Sequence, residues 1–176
     1  YSDDATPTVV MTVREFHPLD RSVQAAGVEA ITTEDIRWGR CDIKSVNLLA
    51  NVLARQQVKQ AKVFEAILVN EGLVTEGAVS NVMVVQGGTV VTAPQGSRIL
   101  SGITRTVVLE LARSEGLPVQ ERFVSQADIY EADEVFLTGT TVEVLAVIRI
   151  DGKVIGDGRP GPIAQRLAAR FTSRVG

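Results

Sequence analysis

The sequence predicts an α+β domain built on a mixed, barrel-like sheet with flanking helices. Many short β-patterned runs interleave with three or four helical patterns. Several neighbouring runs are joined by hairpin-length turns, which a purely parallel sheet does not allow. The length of 176 residues suffices for one good-sized core or two small ones, and a composition of 45% hydrophobic and 22% charged residues is that of an ordinary globular domain.

Taken in order, residues 7–16 (PTVVMTVREF) are rich in Val and Thr and read as a strand. Residues 17–27 have turn chemistry and read as a connection. Residues 28–38 (VEAITTEDIRW) read as one or two strands. A helix follows Lys44, with Val46, Leu49, Val52 and Leu53 on one face and Asn47, Asn51, Arg55 and Lys59 on the other. Residues 62–70 are β-like, and Asn70, Glu71 and Gly72 turn the chain into LVTEG. SNVMVVQ and TVVTA flank Gly87-Gly88, a strong hairpin signal. Residues 93–102 are loop. Residues 103–116 read as a helix closed by Gly116. LPVQERFV reads as a strand, and residues 125–132 as a short helix with Ser125 as its N-cap. DEVFLTG and VEVLAVIRI are strands, Asp151-Gly152 turns the second into KVIG, and residues 162–175 form a closing helix.

Composition excludes several classes. A net charge of −3 gives no electrostatic case for nucleic acid. No apolar run reaches the length of a membrane span and nothing resembles a signal peptide, so a cytoplasmic protein is expected. With one Cys and one His, an intrachain disulfide is impossible and the usual zinc site is not expected. The chain opens on Tyr1, with a β-rich run within a few residues, as expected of a chain entered partway through a larger protein.

Four stretches could carry chemistry. Lys44, one of only four lysines against fourteen arginines, sits between an extended stretch and a helix. A lysine there is more often a solvated charge. A cation in the first helical turn nevertheless opposes the macrodipole, and the same field favours the neutral amine that a Schiff-base lysine needs. Glu76-Gly77 lies at a bend between two β-runs; it is either an ordinary charged turn or a carboxylate held near a basic ring nitrogen. Gly102, Ile103 and Thr104 open a helix, where free N–H groups and a hydroxyl form either a plain cap or an anion site. Gly139-Thr140-Thr141 interrupts a strand with small, hydroxyl-bearing residues that also suit a phosphate. Together, a buried lysine, a lone acid and two phosphate-sized loops suit pyridoxal 5′-phosphate (PLP).

These segments resemble the fold-type IV PLP-dependent aminotransferases, most closely the D-amino-acid transaminases. DIRWGRCDIKSVNLLANVLARQ is similar to their lysine segment and EAILV…VTEGAVSNV to the segment carrying the acid. ILSGITR and TGTTVEV are similar to their phosphate loops, and DGKVIGDGRPGP to the segment before their last helix. The resemblance implies that Lys44 is the Schiff-base lysine and proton shuttle, and that Glu76 pairs with the pyridine nitrogen. It further implies that Ile103, Thr104 and Thr140 hold the phosphate, Leu100 packs on the ring face and Arg37 lies near the cofactor. Gly139 stands where relatives often carry Ser, which removes one hydroxyl.

The same resemblance implies transamination of D-amino acids with a 2-oxo acid acceptor, in a homodimer. It covers only the C-terminal domain of such enzymes, so residues 1–176 are expected to form a single PLP-binding domain that lacks the N-terminal domain. Aminodeoxychorismate lyase and branched-chain aminotransferase share the fold and are the nearest alternatives. A truncated, non-catalytic interaction domain is the alternative of another class.

Overall fold

A computed structural model describes residues 4–6, 8–15 and 17–175. The elements are α1 (Arg21–Ala26), β1 (Val28–Glu34), α2 (Leu49–Ala61), β2 (Glu65–Asn70), β3 (Leu73–Gly77), β4 (Asn81–Gln86), β5 (Thr89–Thr92), α3 (Ile103–Ser114), β6 (Val119–Glu121), β7 (Val124–Ser125), α4 (Gln126–Tyr130), β8 (Glu134–Gly139), β9 (Glu143–Ile150), β10 (Lys153–Val154) and α5 (Pro162–Val175). The strands form one mixed sheet in the order β6-β5-β4-β8-β9-β1-β2-β3-β7, with β10 hairpinned onto β9. β1 runs parallel to both β2 and β9, while β8 lies antiparallel between β4 and β9. The 78–80 link returns β3 directly to β4, where the Gly77 N–H donates to the Ser80 carbonyl at 2.7 Å. The sheet is thereby curled into a half-barrel.

Strict alternation sorts the side chains of the central strands. Val82 and Val84 of β4, Val135 and Leu137 of β8, and Leu145 and Val147 of β9 join one core with Ile67 and Val69 of β2. Their sequence neighbours Met83, Val85, Phe136, Val144 and Ala146 face the other way. They meet Val108, Leu109 and Ala112 of α3 and Leu167 and Phe171 of α5. The alternate residues of β2, Ala66 and Leu68, face Ala54 and Val58 of α2.

Glu134 pins α5 to this frame. Its buried carboxylate accepts from the Ile163 N–H at 2.9 Å and the Ala164 N–H at 2.8 Å, satisfying two of the open donors of the helix start. Gly161 makes room for it, since a Cβ there would lie 2.1 Å from the Glu134 Cδ. Glu134→Ala is expected to lower stability by about 1–3 kcal/mol, the range for a lost cap whose donors stay partly buried, measured by urea unfolding.

The structure differs from the sequence reading in five places. Residues 8–15 are exposed and belong to no strand; residues 7 and 16 lie outside the described residues. Their Val and Thr content is real, but no described partner strand pairs with them. Residues 17–27 contain a helix, α1, with the Asp20 side chain accepting from the Ser22 N–H. LPVQERFV is divided between β6, which pairs with β5, and β7, which pairs with β3. α2 begins only at Leu49 and turns its large apolar residues outward: Leu49, Val52 and Leu53 are exposed, as is Val46 ahead of it. Asn51 and Arg55 face the protein instead, where the Ala78 and Phe64 carbonyls accept their side-chain N–H groups at 2.8 and 2.6 Å. Finally, Lys44 precedes α2 by several residues and is exposed, so neither burial nor a place in the first helical turn describes it.

Among the described residues, no helix is long and apolar enough to cross a membrane, and no group of three or more His, Cys, Asp or Glu could hold a metal ion.

Candidate active site

The β3–β4 bend, the loop after β1, the start of α3 and the β8–β9 turn converge on one cavity of about 530 Å³, within the range of small-molecule sites. All seven residues singled out from the sequence line it: Arg37, Lys44, Glu76, Leu100, Ile103, Thr104 and Thr140. They come from positions more than 100 residues apart, and the curl of the sheet brings them together.

Glu76 lies at the end of β3 and is 4% exposed. The Asn81 amide donates to its Oε2 at 2.9 Å, the Leu100 N–H donates at 3.0 Å, and Arg37 pairs with Oε1 through Nη1. Burial pushes its carboxyl up to about 6, against the opposing pull of Arg37 and the Leu100 N–H. Arg37 is also held by Asp35, whose two oxygens accept from Nε at 2.9 Å and Nη2 at 2.8 Å. Burial works against the Arg37 cation, but the two carboxylates outweigh it and raise its pKa. Burial likewise opposes the Asp35 charge. Its bonds from Arg37 and Thr75 nonetheless keep its carboxyl below the ordinary value.

The rest of the lining carries unfilled donors. Gly102 caps α3 without a side-chain hydrogen bond, leaving the first N–H groups of the helix open beside Ile103 and Thr104. A side chain at Gly102 would strike Asn81, because a Cβ would lie 2.3 Å from its Oδ1. The close approach of helix and β4 thus requires glycine here. Thr140 is exposed at the turn across the cavity. Thr138, just before it on β8, is 1% exposed, and its hydroxyl is buried without a hydrogen-bond partner. Lys44 and Cys41 stand on the remaining wall. Burial pushes the Cys41 thiol up, so it is a neutral group.

The profile of the family described as Amino-transferase class IV matches residues 1–150. The chain belongs to the class IV aminotransferases. It is similar to a D-alanine aminotransferase of Bacillus licheniformis, 50% identical over 152 residues that make up 86% of this chain and 54% of that protein. A D-alanine aminotransferase of Listeria monocytogenes is 44% identical over 85% of this chain and 52% of its own length. Among solved structures, the branched-chain amino acid aminotransferase of Thermobaculum terrenum in its PLP form superposes with a TM-score of 0.80 at 33% identity, covering 90% of this chain and 54% of that one. The chain spans about half the length of the curated relatives it matches.

Three residues in or behind the candidate site of this class IV aminotransferase chain escape sequence reading. Asn81 and Thr138 carry no local signal, since each matters only through what the cavity brings near it. Asp35 leaves a trace: it stands two residues before Arg37 in an extended segment, a spacing that places both side chains on one side.

Proposed function

We propose that this chain is the cofactor-binding part of a PLP-dependent aminotransferase that acts on D-amino acids with a 2-oxo acid acceptor. The observation that carries the reading is one cavity lined by a buried carboxylate, by open backbone and hydroxyl donors, and by a lysine. The residues present fit the cofactor. Glu76 is an acceptor for a protonated ring nitrogen, and Leu100 covers the ring. Ile103 and Thr104, at the uncapped start of α3, and Thr140 hold the phosphate. The orphaned Thr138 hydroxyl is a further buried donor beside that anion site.

Bound PLP supplies an electron sink that makes the substrate Cα–H acidic. Lys44 would hold the cofactor through its amine, and the same amine would carry the proton at the substrate Cα. Glu76 holds the ring nitrogen proton in place, and Arg37 and Asn81 hold Glu76. A second domain closes the site. Its support is the relatives' twofold greater length and the exposed apolar rim formed by Trp38, Ile43, Val79 and Ile103.

The amino-acid preference rests on the greater identity to D-alanine aminotransferases. The likeness to branched-chain aminotransferase structures favours a second reading, with branched-chain substrates. The natural full-length polypeptide, incubated with PLP and desalted, is expected to show a visible absorbance band and to convert D-alanine and 2-oxoglutarate to pyruvate and glutamate. A colourless protein would support a non-catalytic domain. Turnover of L-leucine or L-valine in place of D-alanine would select the second reading.

A further inference from the structure

Asp35 does not line the cavity, yet it carries a charge that the cavity feels. It lies one residue beyond β1, and its N–H donates to the Val69 carbonyl at 2.8 Å, which fixes its backbone against β2. Its Oδ1 accepts from the Arg37 N–H at 3.1 Å and from Arg37 Nε at 2.9 Å. Its Oδ2 accepts from Arg37 Nη2 at 2.8 Å and from the Thr75 hydroxyl at 2.9 Å. With Nε and Nη2 engaged, and Nη2 also donating to the Arg98 carbonyl at 3.2 Å, Nη1 is the group left for Glu76. The side chains of Asp35, Arg37 and Glu76 are only 7%, 8% and 5% exposed. Two carboxylates share one guanidinium, so the buried trio carries one net negative charge. Such an imbalance is costly until a cation reaches it. Among the other titratable groups on the wall, Cys41 is a neutral thiol, and Lys44 is exposed to solvent and makes no ion pair with the trio.

We propose that Asp35 is a positioning residue which locks Arg37 onto Glu76 and leaves the site one negative charge in excess, selecting a cationic ring nitrogen over a neutral ring position. The proposal rests on the reading of Glu76 as the partner of the cofactor ring. It adds that the strength of the preference is set by Asp35, a residue that touches neither cofactor nor substrate.

The test compares dissociation constants, from absorbance titration of this chain, for PLP and for its carbocyclic analogue, in which a C–H replaces the ring nitrogen. The wild type is expected to bind PLP more tightly. Asp35→Asn, which keeps shape and removes charge, is expected to narrow the ratio by about tenfold, the scale of one charge acting over roughly 12 Å at an effective dielectric near 20. Asp35→Glu, which keeps the charge, is expected to restore most of it. In the ligand-free protein, the Arg37 Nε–H resonance is expected to exchange with solvent faster in Asp35→Asn. A ratio that Asp35→Asn leaves unchanged, or equal losses for both ligands, would overturn the proposal and leave the Glu76 reading standing. A wild-type ratio near one would sink the Glu76 reading and this proposal with it. If Asp35→Asn does not fold, Thr75→Val decides, because it frees Asp35 to turn away without removing its charge. A threefold narrowing is expected there, and no change overturns the proposal.

Discussion

Lys44→Ala is expected to abolish both transamination and covalent capture of the cofactor, with the fold left intact. In the wild-type protein, borohydride treatment in the presence of PLP is expected to fix a phosphopyridoxyl group on Lys44. Trypsin cannot cut at a modified lysine, so the label belongs on the peptide of residues 41–55, bounded by Arg40 and Arg55. Among the described residues Lys44 makes no hydrogen bond or ion pair, and it is exposed, so its loss is expected to change stability by no more than about 0.5 kcal/mol. Turnover of the full-length enzyme is expected to fall on the order of 10⁴-fold, since one amine serves as both nucleophile and proton carrier. The other three lysines are the internal control. Lys59, Lys62 and Lys153 are also exposed, yet none lines the cavity. Equal labelling of all four would mean that exposure alone, rather than the site, directs the reaction.

The exposed position of Lys44 changes the physical argument for its reactivity. A place in the first turn of α2 would have set the helix dipole against its charge, but α2 starts at Leu49. What distinguishes Lys44 is its place on the cavity wall beside the open donors of α3; on the proposed reading, the bound cofactor and the proposed second domain would exclude water around it.

The elements that sequence reading placed well are those whose signal is local. Gly87-Gly88 and Asp151-Gly152 occupy turns with positive φ, and both hairpins lie where those pairs predict them. α5 has the bounds its amphipathic pattern gives. The residues of the candidate site were legible for a different reason, since their family motifs are contiguous in sequence even though the cavity is not. The misread elements depend on partners far along the chain. Periodicity finds two faces of α2 but does not say which face meets the sheet. The small Ala54 and Val58 let α2 approach β2, and carbonyls at Phe64 and Ala78 satisfy its polar side. β1 is a strand as its pattern predicts, but its central place is not local information: it contains Glu29, Thr32, Thr33 and Glu34, yet it pairs on both edges. Its Thr32 is held by Asp151, 119 residues later.

Glu76→Gln separates what the buried carboxylate does for the fold from what it does for the reaction. In the ligand-free protein, burial raises the Glu76 carboxyl from an ordinary value of 4.5 to about 6. Folding therefore favours its protonated form. That contribution to stability is fully present below pH 4.5 and is lost as pH rises through about 6. The 1.5-unit difference corresponds to about 2 kcal/mol. The unfolding free energy of the wild type minus that of Glu76→Gln, measured in urea from pH 4 to pH 7.5, is expected to fall by that amount and then level off. Taking the difference cancels groups remote from Glu76; Asp35, which shares Arg37 with it, has a lowered carboxyl whose contribution to stability is lost as pH falls, the opposite sign. A flat difference would show that Arg37 and Asn81 compensate burial in full. With PLP bound to the full-length enzyme, the neutral amide no longer offers a charge to the ring nitrogen. Turnover is expected to drop on the order of 10²–10³-fold, the usual scale for losing one preorganised electrostatic contact, while cofactor affinity falls far less. That division follows from the chemistry, because the open N–H groups beside Ile103 and Thr104 and the Thr140 hydroxyl remain in Glu76→Gln, and the amide oxygen still accepts from the Leu100 N–H just ahead of α3. Full activity in Glu76→Gln would remove Glu76 from the reaction and leave it as a buried partner of Arg37.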